Sequence, residues 1–115
     1  MPIEAVSLSF TLEFKRNLRT LAKKYRGIRS DLQPLLDELQ TGELPGDQVA
    51  GVHLTIFKVR LANSSSNKGK RSGFRCIYYL KTDTAIILVT IYSKSEQSDV
   101  SSARIRSILH EMGLR

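Results

Sequence analysis

Apolar positions change their spacing twice along the chain, and the changes divide it into elements. Residues 3–10, "IEAVSLSF", are β-prone and partly alternating, and predict a first strand. Phe14, Leu18, Leu21, Ala22 and Tyr25 then recur at helical spacing and leave lysines and arginines on the opposite face. Thr11 stands at the N-cap position, Glu13 falls in the first turn near the positive helix end, and Gly27 supplies the stop. The capping-box pair Ser30 and Gln33 predicts a second helix, with Leu32, Leu35, Leu36 and Leu39 as its stripe and Thr41-Gly42 as its end. Pro34 is compatible with that helix about one turn from its start.

"ELPGDQVAG", residues 43–51, reads as loop by its Pro and Gly content. From His53 onward the pattern becomes β-like. Phe57, Val59 and Leu61 alternate with Lys58 and Arg60, so the two cations point the same way. In "FRCIYYL" one face carries Phe74, Cys76, Tyr78 and Leu80, the other Arg75, Ile77 and Tyr79. "AIILVTIY" is apolar almost throughout, as a strand buried on both faces would be. A last helix is expected from Ser98 or Asp99, with Ile105, Ile108, Leu109 and Met112 inward. The predicted order is β-α-α-β-β-β-α, one domain without repeats or linkers.

Charge sharpens this picture through its placement. Between Asp47 and Asp83 there is no acidic residue, whereas Lys58, Arg60, Lys68, Lys70, Arg71, Arg75 and Lys81 all fall there and match the net charge of +7. A second acid-free run, from Lys15 to Arg29, lies on the first helical pair and is explained by a solvated helix face. The first run is harder to explain that way. Its centre, "NSSSNKGKRSGFR", is expected to be the tip of a hairpin with Lys58 and Arg60 on one strand and Arg75 on its neighbour, where antiparallel pairing could bring all three onto one face. Like charges side by side in a sheet repel. A bound polyanion, most simply nucleic acid, is the natural compensation.

Candidate chemistry narrows the choice. No Cys, His and carboxylate cluster has metal-ligand spacing. His53 and His110 fall on a strand edge and a terminal helix, and read as structural or exposed. The single cysteine, Cys76, reads as a core thiol in a reducing compartment. With no signal-peptide pattern and no apolar run of membrane-spanning length, a soluble cytoplasmic protein is expected. RNA cleavage without a metal uses the neighbouring 2′-hydroxyl as nucleophile and needs a base, an acid and positive charge around the phosphorane. A lysine or tyrosine would do the proton work, from ordinary pKa values of about 10.4 and 10 that crowded cations lower.

The run "FKVRLA", the insert "NKGKRSGFR", the strand "CIYYL", the segment "LVTIYSKSEQSDVS" and the helical pair "FKRNLRTLAKKYRGIRSDLQPLLDEL" together resemble the RelE/ParE toxin superfamily, most closely its RelE-type, HigB-like branch. The resemblance covers nearly the whole chain. It implies a single domain over residues 1–115 of α+β class, RelE-like β-α-α-β-β-β-α, an antiparallel-dominated twisted sheet with an N-terminal helical hairpin and a C-terminal helix. It also implies the toxin of a type II toxin–antitoxin pair: an endoribonuclease without metal or cofactor that cuts messenger RNA on the ribosome and so arrests translation and growth.

By this resemblance the catalytic set is Lys58, Arg60, Arg75 and Tyr92, and the RNA-binding set is Lys68, Lys70, Arg71 and Lys94. Arg60 and Arg75 would stabilise charge, Lys58 would act as base or electrostatically, and Tyr92 would transfer a proton or stack on a base. The arginine and tyrosine that RelE itself carries after its last strand correspond here to Ser95 and Ser101, which leaves acid and base unassigned. Implied partners are the ribosome, messenger RNA and a cognate antitoxin of helix-turn-helix type or with an acidic, helical neutralising segment. Operator DNA would be reached only through the antitoxin complex, and no membrane is involved. The antitoxin would dock on the basic face or on the Ile105–Met112 stripe. Two rivals stay open: a ParE-like inhibitor of DNA gyrase, and a catalytically inactive RNA-binding member of the fold.

Overall fold

The computed structural model describes residues 5–65, 73–97 and 99–113. Lys68, Lys70 and Arg71 lie outside the described residues. The elements are β1 (Ser7–Phe10), α1 (Leu12–Lys24), α2 (Ile28–Gln40), β2 (Asp47–Gln48), β3 (Ile56–Leu61), β4 (Phe74–Thr82), β5 (Ala85–Ser93) and α3 (Ser102–Glu111). They form an α+β fold in which a five-stranded mixed sheet has the order β1-β5-β4-β3-β2. Strands β1 and β5 run parallel; the other neighbours are antiparallel.

The near-continuous apolar run of β5 follows from this position. It is paired on both edges and covered on both faces. On one side the α1–α2 pair packs Phe14, Leu21, Leu35 and Leu39 against Phe74, Cys76, Tyr78 and Leu88. On the other, Ile105, Ile108 and Leu109 of α3 meet Ile56, Ile77, Val89 and Tyr92. Truncating one of these fully buried aliphatic side chains to alanine costs about 2–5 kcal/mol. Ile105, Ile108 and Leu109 of the α3 stripe are thus core. Among the described residues no helix is long and apolar enough to cross a membrane.

Helix ends depart from the expected places where burial outweighs capping. Thr11 does cap α1, its Oγ1 accepting from the Phe14 amide at 2.9 Å. However, α1 stops at Lys24, and Gly27 is the N-cap of α2 rather than the end of α1. The Ser30–Gln33 capping box does not form. Burying Ile28 completely starts the helix earlier, and the Gln33 amide donates instead to Asp37 Oδ1 at 2.8 Å. Pro34 therefore lies in the helix interior, on its exposed side, while Leu32, Leu35 and Leu39 hold the opposite face. At the other end, α3 begins at Ser102, capped by Ser101, and not from Ser98 or Asp99. Met112, expected inward, is 39% exposed beyond the last turn.

Two features of the sheet were not predicted. The loop after α2 contains the short strand β2, pairing Asp47 with Lys58 and Gln48 with Phe57. Gly46 permits it, with φ of +98° and its Cα set so close to the Lys58 carbonyl that a Cβ would clash. The second feature is slippage between β4 and β5, at Ile77/Tyr78 and again at Leu80/Thr82. Ile77 lies opposite Thr90 and Tyr78 opposite Leu88, so Val89 is an extra residue. Such a bulge changes the phase of side-chain alternation. Leu88 consequently faces the α1–α2 pair while Tyr92 faces α3.

Candidate functional site

Register brings the four expected catalytic residues together. Arg60 on β3 lies opposite Arg75 on β4, and Arg75 lies opposite Tyr92 on β5, so the three form one row across three strands. Lys58, two residues before Arg60 on β3, shares their face and lies opposite Ile77. This is the α3 side of the sheet, at the strand ends that α3 leaves open. Alternation in β3 and β4 predicted the cationic part of the row. The bulge at Val89 adds Tyr92, since an unbroken alternation would have turned it toward the α1–α2 pair with Leu88.

Lys58, Arg60, Arg75 and Lys94 line one groove of about 390 Å³, closed on its far side by Asp47, Gln48 and Val49 at the β2 edge. Lys94 follows β5 directly and is tied to the start of β4, its amide donating to the Gly73 carbonyl at 2.9 Å. The groove thus joins residues from both of the expected sets, and among the described residues lining it four cations stand against one carboxylate. The remaining RNA-binding candidates, Lys68, Lys70 and Arg71, cannot be placed relative to it because they fall outside the described residues.

Burial makes the groove more than a charged surface. Arg75 is only 6% exposed, and its guanidinium donates to the Phe74 carbonyl at 3.2 Å. Desolvation first, and then the charge of Arg60 opposite, pull its pKa below the ordinary arginine value. Two arginines directly opposite one another in a sheet repel.

Tyr92 behaves differently from the expectation that crowded cations would lower a tyrosine here. Its pKa is pushed up to about 12, first by burial and then by the carboxylate of Asp99, with Arg75 opposing. The phenol is protonated at neutral pH. It can give a hydrogen bond or a proton, but it is a poor base.

Asp99 is the site residue that periodicity and spacing did not disclose. Its Oδ1 accepts from the Tyr92 hydroxyl at 3.2 Å, from Lys58 Nζ at 3.2 Å and from the Val100 amide at 2.8 Å. That amide and Lys58 hold the carboxyl below its ordinary range. In the sequence Asp99 looks like a helix cap, and nothing local separates a capping aspartate from one that reaches back to a strand.

Ser95 and Ser101 have local roles. Ser101 Oγ accepts from the Arg104 amide and caps α3, and Ser95 Oγ hydrogen-bonds Ser93 Oγ at 3.0 Å. The two histidines, which have no evident partner in sequence, line a second groove of about 520 Å³ beside α3 with Val52, Leu54, Arg106 and Leu109. The α1 and α2 cations Lys15, Arg16, Arg19, Lys23 and Arg29 are exposed, as a solvated helix face would be. Among the described residues no three His, Cys, Asp or Glu side chains converge. Compared with known protein families, the chain matches no family model.

Proposed function

We propose that the protein is an endoribonuclease of the RelE/ParE toxin type, HigB-like, which cuts messenger RNA on the ribosome and is held silent by an antitoxin partner. One observation carries this reading: Lys58, Arg60 and Arg75 line a single cationic groove, and Tyr92 lies opposite Arg75 in the same row of the sheet. A helical pair on one face of the sheet and a C-terminal helix on the other agree with the RelE-like arrangement, with β2 added.

The chemistry follows from what these groups can do. In the attack of O2′ on the adjacent phosphate, the O2′–P bond forms and the P–O5′ bond breaks, leaving a cyclic 2′,3′-phosphate and a 5′-hydroxyl. Arg60 and Arg75 face the charge that develops on the phosphorane. Lys58, paired as an ammonium with Asp99, completes the cationic surround, and the base that takes the 2′ proton is left unassigned. Tyr92, protonated at neutral pH, serves on the donor side, toward the leaving oxygen. A phenol so hard to ionise and a lysine are weak proton carriers at neutral pH. Holding the RNA in line for attack is the contribution left to the ribosome, and orientation of this kind can supply about 7–11 kcal/mol of the barrier. Lys94 and the basic insert follow the backbone without reading sequence.

A non-catalytic RNA-binding role is the second reading, favoured by Ser95 and Ser101, whose hydroxyls serve local structure. Primer extension on a reporter messenger RNA in a cell-free translation mix separates the two. Wild-type protein and Arg75→Ala are compared with and without active ribosomes. New 5′ ends that require both Arg75 and ribosomes support the nuclease, with a loss of about 10²-fold or more in the variant. Uncut RNA with retained binding supports the passive module, and uncut RNA with inhibited gyrase supports a ParE-like role.

A further inference from the structure

We infer that Asp99 is a positioning residue of the cationic groove: one carboxylate oxygen holds the Lys58 ammonium and the Tyr92 hydroxyl together and so fixes both beside Arg75. This inference rests on the nuclease reading. It assigns to the connection between β5 and α3 a task that neither sheet alternation nor the resemblance gives it.

The geometry separates this contact from an ordinary surface ion pair. An exposed pair of long side chains contributes little, because both lose conformational freedom to meet. Here the Asp99 side chain is 62% exposed, yet it is pre-fixed by the adjacent Val100 amide, which donates to the same oxygen that Lys58 and Tyr92 use. Ser101 caps α3 two residues later, and the Gln97 side-chain amide donates to the Asp99 carbonyl at 3.1 Å. Backbone and cap therefore hold the carboxylate where Lys58 of the groove and Tyr92 of the adjoining row can reach it. Lys58 would otherwise be a four-carbon chain sampling solvent, and the Tyr92 hydroxyl could rotate.

Besides Asn17 of α1 and Glu96, which line a small pocket with Tyr92, several elements bring groups to this tyrosine. Asp99 reaches it from the β5–α3 connection, Arg75 from β4 and Lys58 through Asp99 from β3, while α3 contributes apolar Ile105, Ile108 and Leu109. Asp99 is the carboxylate that accepts from the Tyr92 hydroxyl. Replacing it with asparagine keeps the shape and removes the charge, which lowers the Tyr92 pKa and loosens Lys58. Removing a negative charge beside a phosphate site strengthens RNA binding or leaves it unchanged. A fall in turnover without a fall in affinity is therefore the signature of positioning.

The test uses full-length wild type, Asp99→Asn, Tyr92→Phe and the double variant. Turnover is read by primer extension with ribosomes, affinity with an RNA oligonucleotide carrying 2′-deoxy substitution, and Tyr92 ionisation by NMR of ring-labelled tyrosine, assigned against Tyr92→Phe. The expected result for Asp99→Asn is a fall in kcat of about 10²-fold, unchanged or tighter RNA binding, and a Tyr92 titration moved down. Asp99→Asn added to Tyr92→Phe costs less than it does alone, because both act through one contact. Undiminished turnover in Asp99→Asn, or a Tyr92 titration that does not move, overturns the positioning role while leaving the nuclease in place. A wild type that cuts no RNA with ribosomes present overturns the nuclease reading and this role with it.

Discussion

Thr11 donates its side-chain hydroxyl to the carbonyl of Val89 at 2.6 Å across 78 residues of chain, while accepting the Phe14 amide at 2.9 Å. One buried hydroxyl thus caps α1 and satisfies the bulged residue of β5. The bulge in turn puts Tyr92 on the same face as Arg75. A capping residue near one end of the sheet consequently supports the position of a site residue three positions beyond the bulge.

Thr11→Val keeps the shape and removes both hydrogen bonds. The missing cap costs about 1 kcal/mol, and the buried Val89 carbonyl left without its partner adds about 1–3 kcal/mol. Urea unfolding should give a lower midpoint with an unchanged slope. RNA cleavage should fall as well, measured well below the melting temperature.

Arg60→Gln relieves the repulsion across the Arg60–Arg75 pair. Stability should stay level or rise by about 0.2–1 kcal/mol. RNA affinity should fall at the same time, and the slope of log K against log salt should shrink by about 0.7 for each phosphate of single-stranded RNA that the protein no longer neutralises. A stability gain joined to weaker binding marks a site kept for its ligand.

Alkaline unfolding should show the raised phenol of Tyr92. Its folded pKa of about 12 lies above the ordinary value of 10.0, so the stability it contributes is complete below pH 10 and disappears as pH rises from about 10 to about 12. Burial also raises Cys76 and Tyr78, which add to the same decline. Tyr92→Phe should unfold less steeply over that window than wild type, read by thermal melts at stepped pH.

Gly73→Ala tests how tightly the three site strands are joined. A Cβ at residue 73 would overlap the Leu61 carbonyl oxygen of β3, and the Gly73 carbonyl also receives the Lys94 amide. Backbone must move to admit the methyl group, at about 1–3 kcal/mol. Cleavage should fall by more than this destabilisation explains, since Arg75 and Lys94 shift relative to Arg60. Amide chemical shifts of residues 60, 75 and 94 would report the displacement.

Much of this is legible in the chain. Helical spacing marks α1 and α2 and the inner face of α3, period-two alternation puts Lys58 with Arg60 and Arg75 with Ile77, and the unbroken apolar run of β5 announces a strand covered on both sides. These are properties of one segment at a time. Gly27 reads locally as a stop, Ser30 as a cap and Asp99 as a helix start, and the structure uses none of them so. A capping residue looks the same wherever the neighbouring apolar side chains choose to begin the helix.

What the sequence by itself determined was the identity of the cations and their local face, since side-chain direction follows parity wherever a strand is not bulged. Only the tertiary structure decided that Arg60 meets Arg75, that Val89 bulges so that Tyr92 joins them, and that Asp99 returns to hold Lys58 and Tyr92. Pairing register, a bulge and a reach across the sheet are settled by how two distant segments pack together. The energy that selects them appears only when both segments are in place.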